Sequence, residues 1–201
     1  MSTITPTHSG PSLEPLASPV VYRISVDEYE RMAGMLDDPR VELIDGYLVR
    51  KMGKKPAHCW AVDRTEEALR ALLPPGWTLR REGPVRIPNF DEPEPDLAVV
   101  KGPRDVYRTR HPDPADVTLL VEVAESSLDR DRGEKRAAYA KSHDPIAVYW
   151  IVNLIDRQVE VYTDPFTDVY RSCEVFKPGQ DVPVVIHGVE VGRIAVADIL
   201  P

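Results

Sequence analysis

Two acidic residues of this chain stand where acids are costly. Glu122 falls inside TLLVEVA, residues 118–124, an otherwise apolar run that reads as a central β-strand covered on both faces. An ionised carboxylate in a dry strand is unfavourable by several kcal/mol unless it is paired or bound to a cation. Asp96 opens a second short apolar run, in EPEPDLAVV, directly after Pro95. Proline cannot donate to a sheet ladder, so it marks where that strand starts. Neighbouring strands that each present one carboxylate at the same end could hold a hard divalent cation, with waters and substrate phosphate completing its shell. The plainer alternatives are a Glu122 that faces solvent or pairs with an arginine, and an Asp96 that caps the proline-rich loop.

Downstream of Glu122, Asp131, Lys135 and Tyr139 follow at i, i+4 and i+8 and so share one broad helical face. From there Lys135 could reach a scissile phosphate and offset charge on it. An ordinary surface pair between Asp131 and Lys135 is the simpler reading. The helix also carries Arg130, Arg132, Arg136 and Lys141 against Asp129 and Glu134. Residues 101–110 add Lys101, Arg104, Arg108 and Arg110 against Asp105. Arg130, Arg132 and Arg136 are the candidate phosphate contacts. They sit on a chain of net charge -8, which as a whole repels nucleic acid, so any such binding must be local.

The elements that must position these groups are legible in outline. Ser25 with Glu28 three residues on is a capping box that opens a short helix. In VELIDGYLVRKM, Asp45-Gly46 between two apolar runs signals a hairpin. Trp60, Ala61, Ala68, Leu69, Leu72 and Leu73 recur at helical spacing until Pro74-Pro75-Gly76 stops them. WTLRREGPVRIP reads as two short strands around Gly83-Pro84, PDLAVV as a third and TLLVEVA as a fourth. AVYWIVN and RQVEVYT read as two more, followed by short C-terminal strands and a terminal turn. Helix, hairpin, helix, strands, helix, strands is the order of a mixed α/β (α+β) core, one sheet with helices packed on it.

At 201 residues, with 42% hydrophobic and 29% charged residues, the chain suits one domain. The Ser-, Thr- and Pro-rich residues 1–19 read as a disordered tail and 20–201 as the single domain. Cys59 and Cys173 lie far apart without metal-ligand spacing; Cys59 and His58, adjacent on a helix, point in different directions, so no thiol chemistry is expected and Cys59 reads as a core cysteine. No apolar run approaches the roughly 18 residues of a membrane span. The first residues lack the basic and apolar regions of a signal peptide, so a cytoplasmic protein without membrane partners is expected.

VELIDGYLV, His58 opening a helix, PDLAVV, and LLVEVAESSLDRDRGEKRAAYAKSHDPIAVYWIVNLIDRQVEVY together resemble the Uma-two family of restriction endonucleases. That family is a branch of the PD-(D/E)XK nuclease-like superfamily. The likeness runs from about Tyr22 to Pro201 and includes the closing VADILP. It implies a restriction-endonuclease-like core: a central mixed β-sheet flanked by helices, extra C-terminal strands, and the site at one end of the central strands. By resemblance Asp96 matches the motif aspartate, Glu122 the second acid, and Glu42 an acid ahead of the hairpin that can join the metal site. Lys135 matches the helix-borne lysine, Asp131 and Tyr139 flank it, and His58 matches a polar position opening the second helix. Two departures stand out: Ala124 occupies the position two after Glu122 where a lysine is usual, and AESS lacks the loop proline.

The activity so implied is Mg²⁺- (or Mn²⁺-) dependent hydrolysis of DNA phosphodiesters. Water would attack in line, and the cation and Lys135 would stabilise the developing charge. A homodimer is expected, since cutting both strands commonly pairs two sites. The competing reading, resting on the net charge and on Ala124, is a catalytically inactive dimeric nuclease-fold binding or regulatory protein. Carboxylate-only glycoside hydrolysis ranks last, because the basic neighbours suit phosphate better than sugar.

Overall fold

The computed structural model describes residues 21–36 and 40–201; the expected disordered tail at 1–19 lies outside them. Helix α1 (Val26–Ala33) opens on the expected capping box, in which Ser25 Oγ accepts from Glu28 N–H and Glu28 Oε2 accepts from Ser25 N–H. Strands β1 (Val41–Ile44) and β2 (Tyr47–Arg50) pair antiparallel. Their turn takes φ of 50° at Asp45 and 80° at Gly46, the two left-handed positions a tight hairpin needs, so Asp-Gly specifies it. Helix α2 (Pro56–Leu72) has proline at its first position, where a missing N–H costs nothing.

The central sheet has six strands in the order β3 (Trp77–Arg81), β4 (Leu97–Lys101), β5 (Val117–Ala124), β6 (Val148–Asn153), β7 (Gln158–Phe166) and β8 (Val169–Phe176). Only β5 and β6 run parallel, so the sheet is mixed. Every residue of β5 is buried, as its unbroken apolar run implies. The β5-to-β6 crossover carries α3 (Leu128–Arg130), a π-helical segment (Asp131–Lys135) and α4 (Arg136–Ala140), which run on as one helix over 128–140. A second hairpin, β9 (Asp181–Ile186) with β10 (Val189–Ala195), leads into α5 (Val196–Ile199).

Period-two alternation splits the core. Leu79, Leu97, Val99, Leu119, Val121, Val123, Trp150 and Val152 face α2, the β9–β10 hairpin and α5. Ala98, Val100, Leu120, Ala124, Tyr149 and Ile151 face the 128–140 helix and a tyrosine cluster. The stretch WTLRREGPVRIP departs from expectation by forming one strand. Glu82 turns to φ 50° and Pro84 offers no donor, so the chain leaves the sheet after Arg81. Val85 and Ile87 are buried instead as an irregular segment. Among the described residues no helix is long and apolar enough to cross a membrane.

Candidate active site

The β4–β5 register brings the two acids together. Leu97 pairs with Val121 and Ala98 with Leu120. One step past the last pair, Asp96 stands opposite Glu122, and directly opposed residues of an antiparallel pair share a face. That face is the one covered by the 128–140 helix. Asp96 Oδ2 also accepts from Val123 N–H at 2.9 Å, which closes the gap between the strands where the ladder ends. Glu122 is 4% exposed, so it neither faces solvent nor pairs with an arginine.

Glu122 Oε1 accepts from Lys135 Nζ at 3.0 Å and from the Tyr139 hydroxyl at 2.8 Å. The helical face read from i, i+4 spacing therefore meets the strand carboxylate. Lys135 Nζ also lies 3.2 Å from Glu42 Oε2. Glu42 arrives on β1, whose hairpin is tied to the 90–94 segment through paired Leu43 and Glu92 backbones. Its Oε2 accepts in turn from Glu94 N–H at 3.1 Å. Asp131 is buried beside the same cleft and accepts from Ser127 Oγ at 2.6 Å. His58, in the first turn of α2, places Nε2 3.3 Å from Asp96 Oδ1, while its buried Nδ1 has no partner. Ala124, on the Glu122 face of β5, is fully buried and carries no charge; the cation beside Glu122 is Lys135 of the helix.

Three lysines of the loop before α2 went unread in the sequence. Lys54 Nζ lies 3.1 Å from both Asp96 Oδ1 and Glu82 Oε1. Lys51 pairs with Glu94 and Lys55 with Glu125, each at 2.8 Å. The signal was KMGKK itself, a basic stretch just ahead of a helix start. Of the three candidate phosphate-contacting arginines, only Arg130 lines the cleft. Arg132 is held by Glu160 and Asp156, and Arg136 lies over the Tyr162 ring, away from the acids. The helix places Arg130 on one side and turns the other two toward the sheet and β7.

The cleft so lined measures about 600 Å³ including its solvent-open mouth. Burial pushes the Glu122 carboxyl well above the usual range, opposed by Lys135 and reinforced by Asp131, Asp96 and Glu42. Burial likewise pushes Asp131 up to about 6. For Lys135, burial disfavours the charge, but Glu122, Glu42 and Asp131 outweigh it and hold the ammonium charged.

A hard cation is tested against this set by its donors. Glu42, Asp96 and Glu122 supply carboxylate oxygens to one cleft, which fits such an ion. The ammonium groups of Lys135 and Lys54 stand in for it, each bridging two of the surrounding carboxylates. Among the described residues, no three His, Cys, Asp or Glu side chains are gathered as tightly as a bound ion requires.

The family model described as "Uma2: Putative restriction endonuclease" matches residues 26–197. A solved structure described as "a putative nuclease belonging to DUF820" from Anabaena variabilis superposes with a TM-score of 0.65 at 16% identity, covering 88% of this chain and 97% of that one. At that identity the likeness speaks for the fold. No curated protein matches.

Proposed function

The chain belongs to the Uma2 family, and we propose that it is a divalent-cation-dependent DNA endonuclease working at the Asp96–Glu122 cleft. The observation that carries this reading is the convergence of Asp96, Glu122, Glu42 and Lys135, from four separate elements, on one buried, solvent-connected cleft.

Asp96 and Glu122 would hold the cation, with Glu42 as a third oxygen donor. When bound, Mg²⁺ or Mn²⁺ would polarise the scissile phosphate and neutralise its growing charge. Lys135, kept charged by its carboxylates, would offset charge on the non-bridging oxygens. Lys54, now bridging Asp96 and Glu82, would turn to the incoming phosphate. Tyr139 and His58 would hold the Glu122 and Asp96 carboxylates in orientation through their bonds to Oε1 and Oδ1. Cutting both strands would take two copies of the chain. The exposed Phe166, Val169 and Val175 at the β7–β8 edge support a homodimer.

The test is cleavage of plasmid DNA with Mg²⁺ or Mn²⁺. Asp96→Asn and Glu122→Gln should each lose cleavage while melting at or near the wild-type temperature. Wild-type rates in both variants would sink the proposal. A second reading is a non-catalytic nuclease-fold protein, favoured by the lack of a preformed three-ligand cluster among the described residues. Binding to the native state alone raises the melting temperature. The absence of both a Mn²⁺-induced rise and any cleavage would select this second reading.

A further inference from the structure

A second cluster of charge lies at the free edge of the sheet. Strand β3 is the first strand of the six, so one of its sides has no strand neighbour. Around it Glu66 and Arg70 of α2, Arg80 and Arg81 of β3, and Arg104 and Tyr107 of the 104–107 turn line one cleft. Four of those six residues are cationic, on a chain whose net charge is -8.

The arginines are not equivalent. Arg70 and Arg81 share Glu66, at 2.7 and 3.1 Å, and Arg81 also meets Asp63. Arg80 and Arg104 have no acidic partner among the described residues. Arg80 is half-buried over the Tyr107 ring, 5.3 Å from its centroid, with Arg110 5.2 Å from the same centroid. The Tyr107 hydroxyl donates to Lys101 carbonyl at 2.6 Å and fixes the ring. Burial lowers the Arg80 pKa, opposed by Tyr107 and reinforced by the nearby Arg104 charge. A preorganised guanidinium stacked on an aromatic ring, next to a second free guanidinium, is a fitting receptor for phosphate oxygens.

The patch is joined to the cleft described above. Arg81 Nε lies 3.2 Å from Glu82 Oε1, Lys54 Nζ lies 3.1 Å from the same oxygen, and Lys54 then meets Asp96. A backbone leaving Asp96 past Lys54 would therefore pass over the β3 edge.

We propose that Arg80 and Arg104, set on Tyr107 at the β3 edge, form a phosphate-backbone site that seats the nucleic-acid strand flanking the cleavage cleft. This rests on the nuclease reading for its substrate class, but its recognition chemistry is independent of cleavage. The contacts are to phosphate, so they carry no sequence information.

The test uses the full chain without divalent cation and fluorescein-labelled 20-base-pair duplexes, one DNA and one RNA of the same sequence. Anisotropy gives the affinity across a salt series. Each phosphate contact contributes close to one unit of the log–log salt slope. Arg80→Gln and Arg104→Gln should each weaken binding several-fold and shallow the slope by about one unit. Arg80→Lys, which keeps the charge, should retain the slope. Arg171→Gln removes an equal charge at the far edge strand β8 and should bind as wild type. The duplex bound more tightly identifies the backbone served. Unchanged slopes in both glutamine variants, an equal loss in Arg171→Gln, or no binding of either duplex would overturn the proposal and leave these arginines as guards against edge-to-edge pairing. Because no cleavage is measured, those results leave the Asp96–Glu122 proposal standing, and failed cleavage leaves this one standing.

Discussion

At the scale of single residues, the cleft is a problem in compensation. Glu42, Asp96, Glu122 and Asp131 are all nearly excluded from water, and Lys135 is the buried cation among them. Removing one partner of a buried pair is costly because it strands the other charge. Lys135→Met should therefore destabilise the protein by about 3 kcal/mol near neutral pH, and by less in mild acid, where the stranded carboxylates take up protons. Urea melts at the two pH values measure the difference. Asp131 gives a second pH signature. Burial raises its carboxyl to about 6, so the folded state binds a proton that the unfolded chain releases nearer 3.8. A raised folded pKa contributes stability that is fully present below the unfolded value and lost as pH rises through the folded one. Wild-type stability should carry a loss between about pH 4 and pH 6 that Asp131→Asn does not share.

At the scale of elements, the decisive one is the helix over 128–140. Its π-helical segment begins at Asp131 and ends at Lys135, so the widened turn carries both cleft residues. Such turns recur at functional sites because they re-aim side chains that regular spacing would stack. The helix is pinned to β7 on its other side, where Arg132 meets Glu160 at 2.5 Å. Burial alone would raise the Glu160 carboxyl, but Arg132, Asn153, Tyr162 and Gln158 outweigh it and pull it down to about 2. A depressed folded pKa contributes stability present above the unfolded value and lost as pH falls through the folded one. Arg132→Ala should therefore destabilise most above about pH 4.5, with the gap to wild type closing as the pH approaches 2, read by acid titration of circular dichroism. Smaller and local is the α1 cap: Ser25→Ala removes Oγ from Glu28 N–H and should cost about 1 kcal/mol in thermal melts.

At the scale of the whole molecule, the sheet is clothed unequally. One face is covered by α2, the β9–β10 hairpin and α5, which bury Val182, Val184, Ile186, Ile194, Val196 and Ile199. Ending the chain after Phe176 would uncover the sheet residues beneath them. That truncation should fail to yield soluble, cooperatively melting protein, and recovery of a folded fragment would contradict it. The other face carries the cleft at the end where β4 and β5 begin to diverge, with the basic β3 edge beside it. An acidic protein can present phosphate-binding chemistry because charge is sorted in space, whatever its net sum. The proposed homodimer is checked by light scattering across a dilution series, with a constant mass near twice 22.6 kDa expected.

Much of this was legible in the residues. The capping box, Asp45-Gly46, the buried run around Glu122 and the i, i+4, i+8 face of Asp131, Lys135 and Tyr139 all follow from short-range periodicity, which a linear sequence records. The proline before it marked Asp96 at a strand start, and the family resemblance added Glu42 and His58. The sequence left open what depends on pairing between distant segments. Register set Asp96 opposite Glu122, and the packing of the 128–140 helix turned Arg132 and Arg136 toward β7 while leaving Arg130 at the cleft. The loop ahead of α2 brought Lys54 to Asp96, 42 residues away. Periodicity says which face a side chain takes within its own element. Only the docking of one element on another decides which charges meet, because a charge's partner is chosen by distance in space.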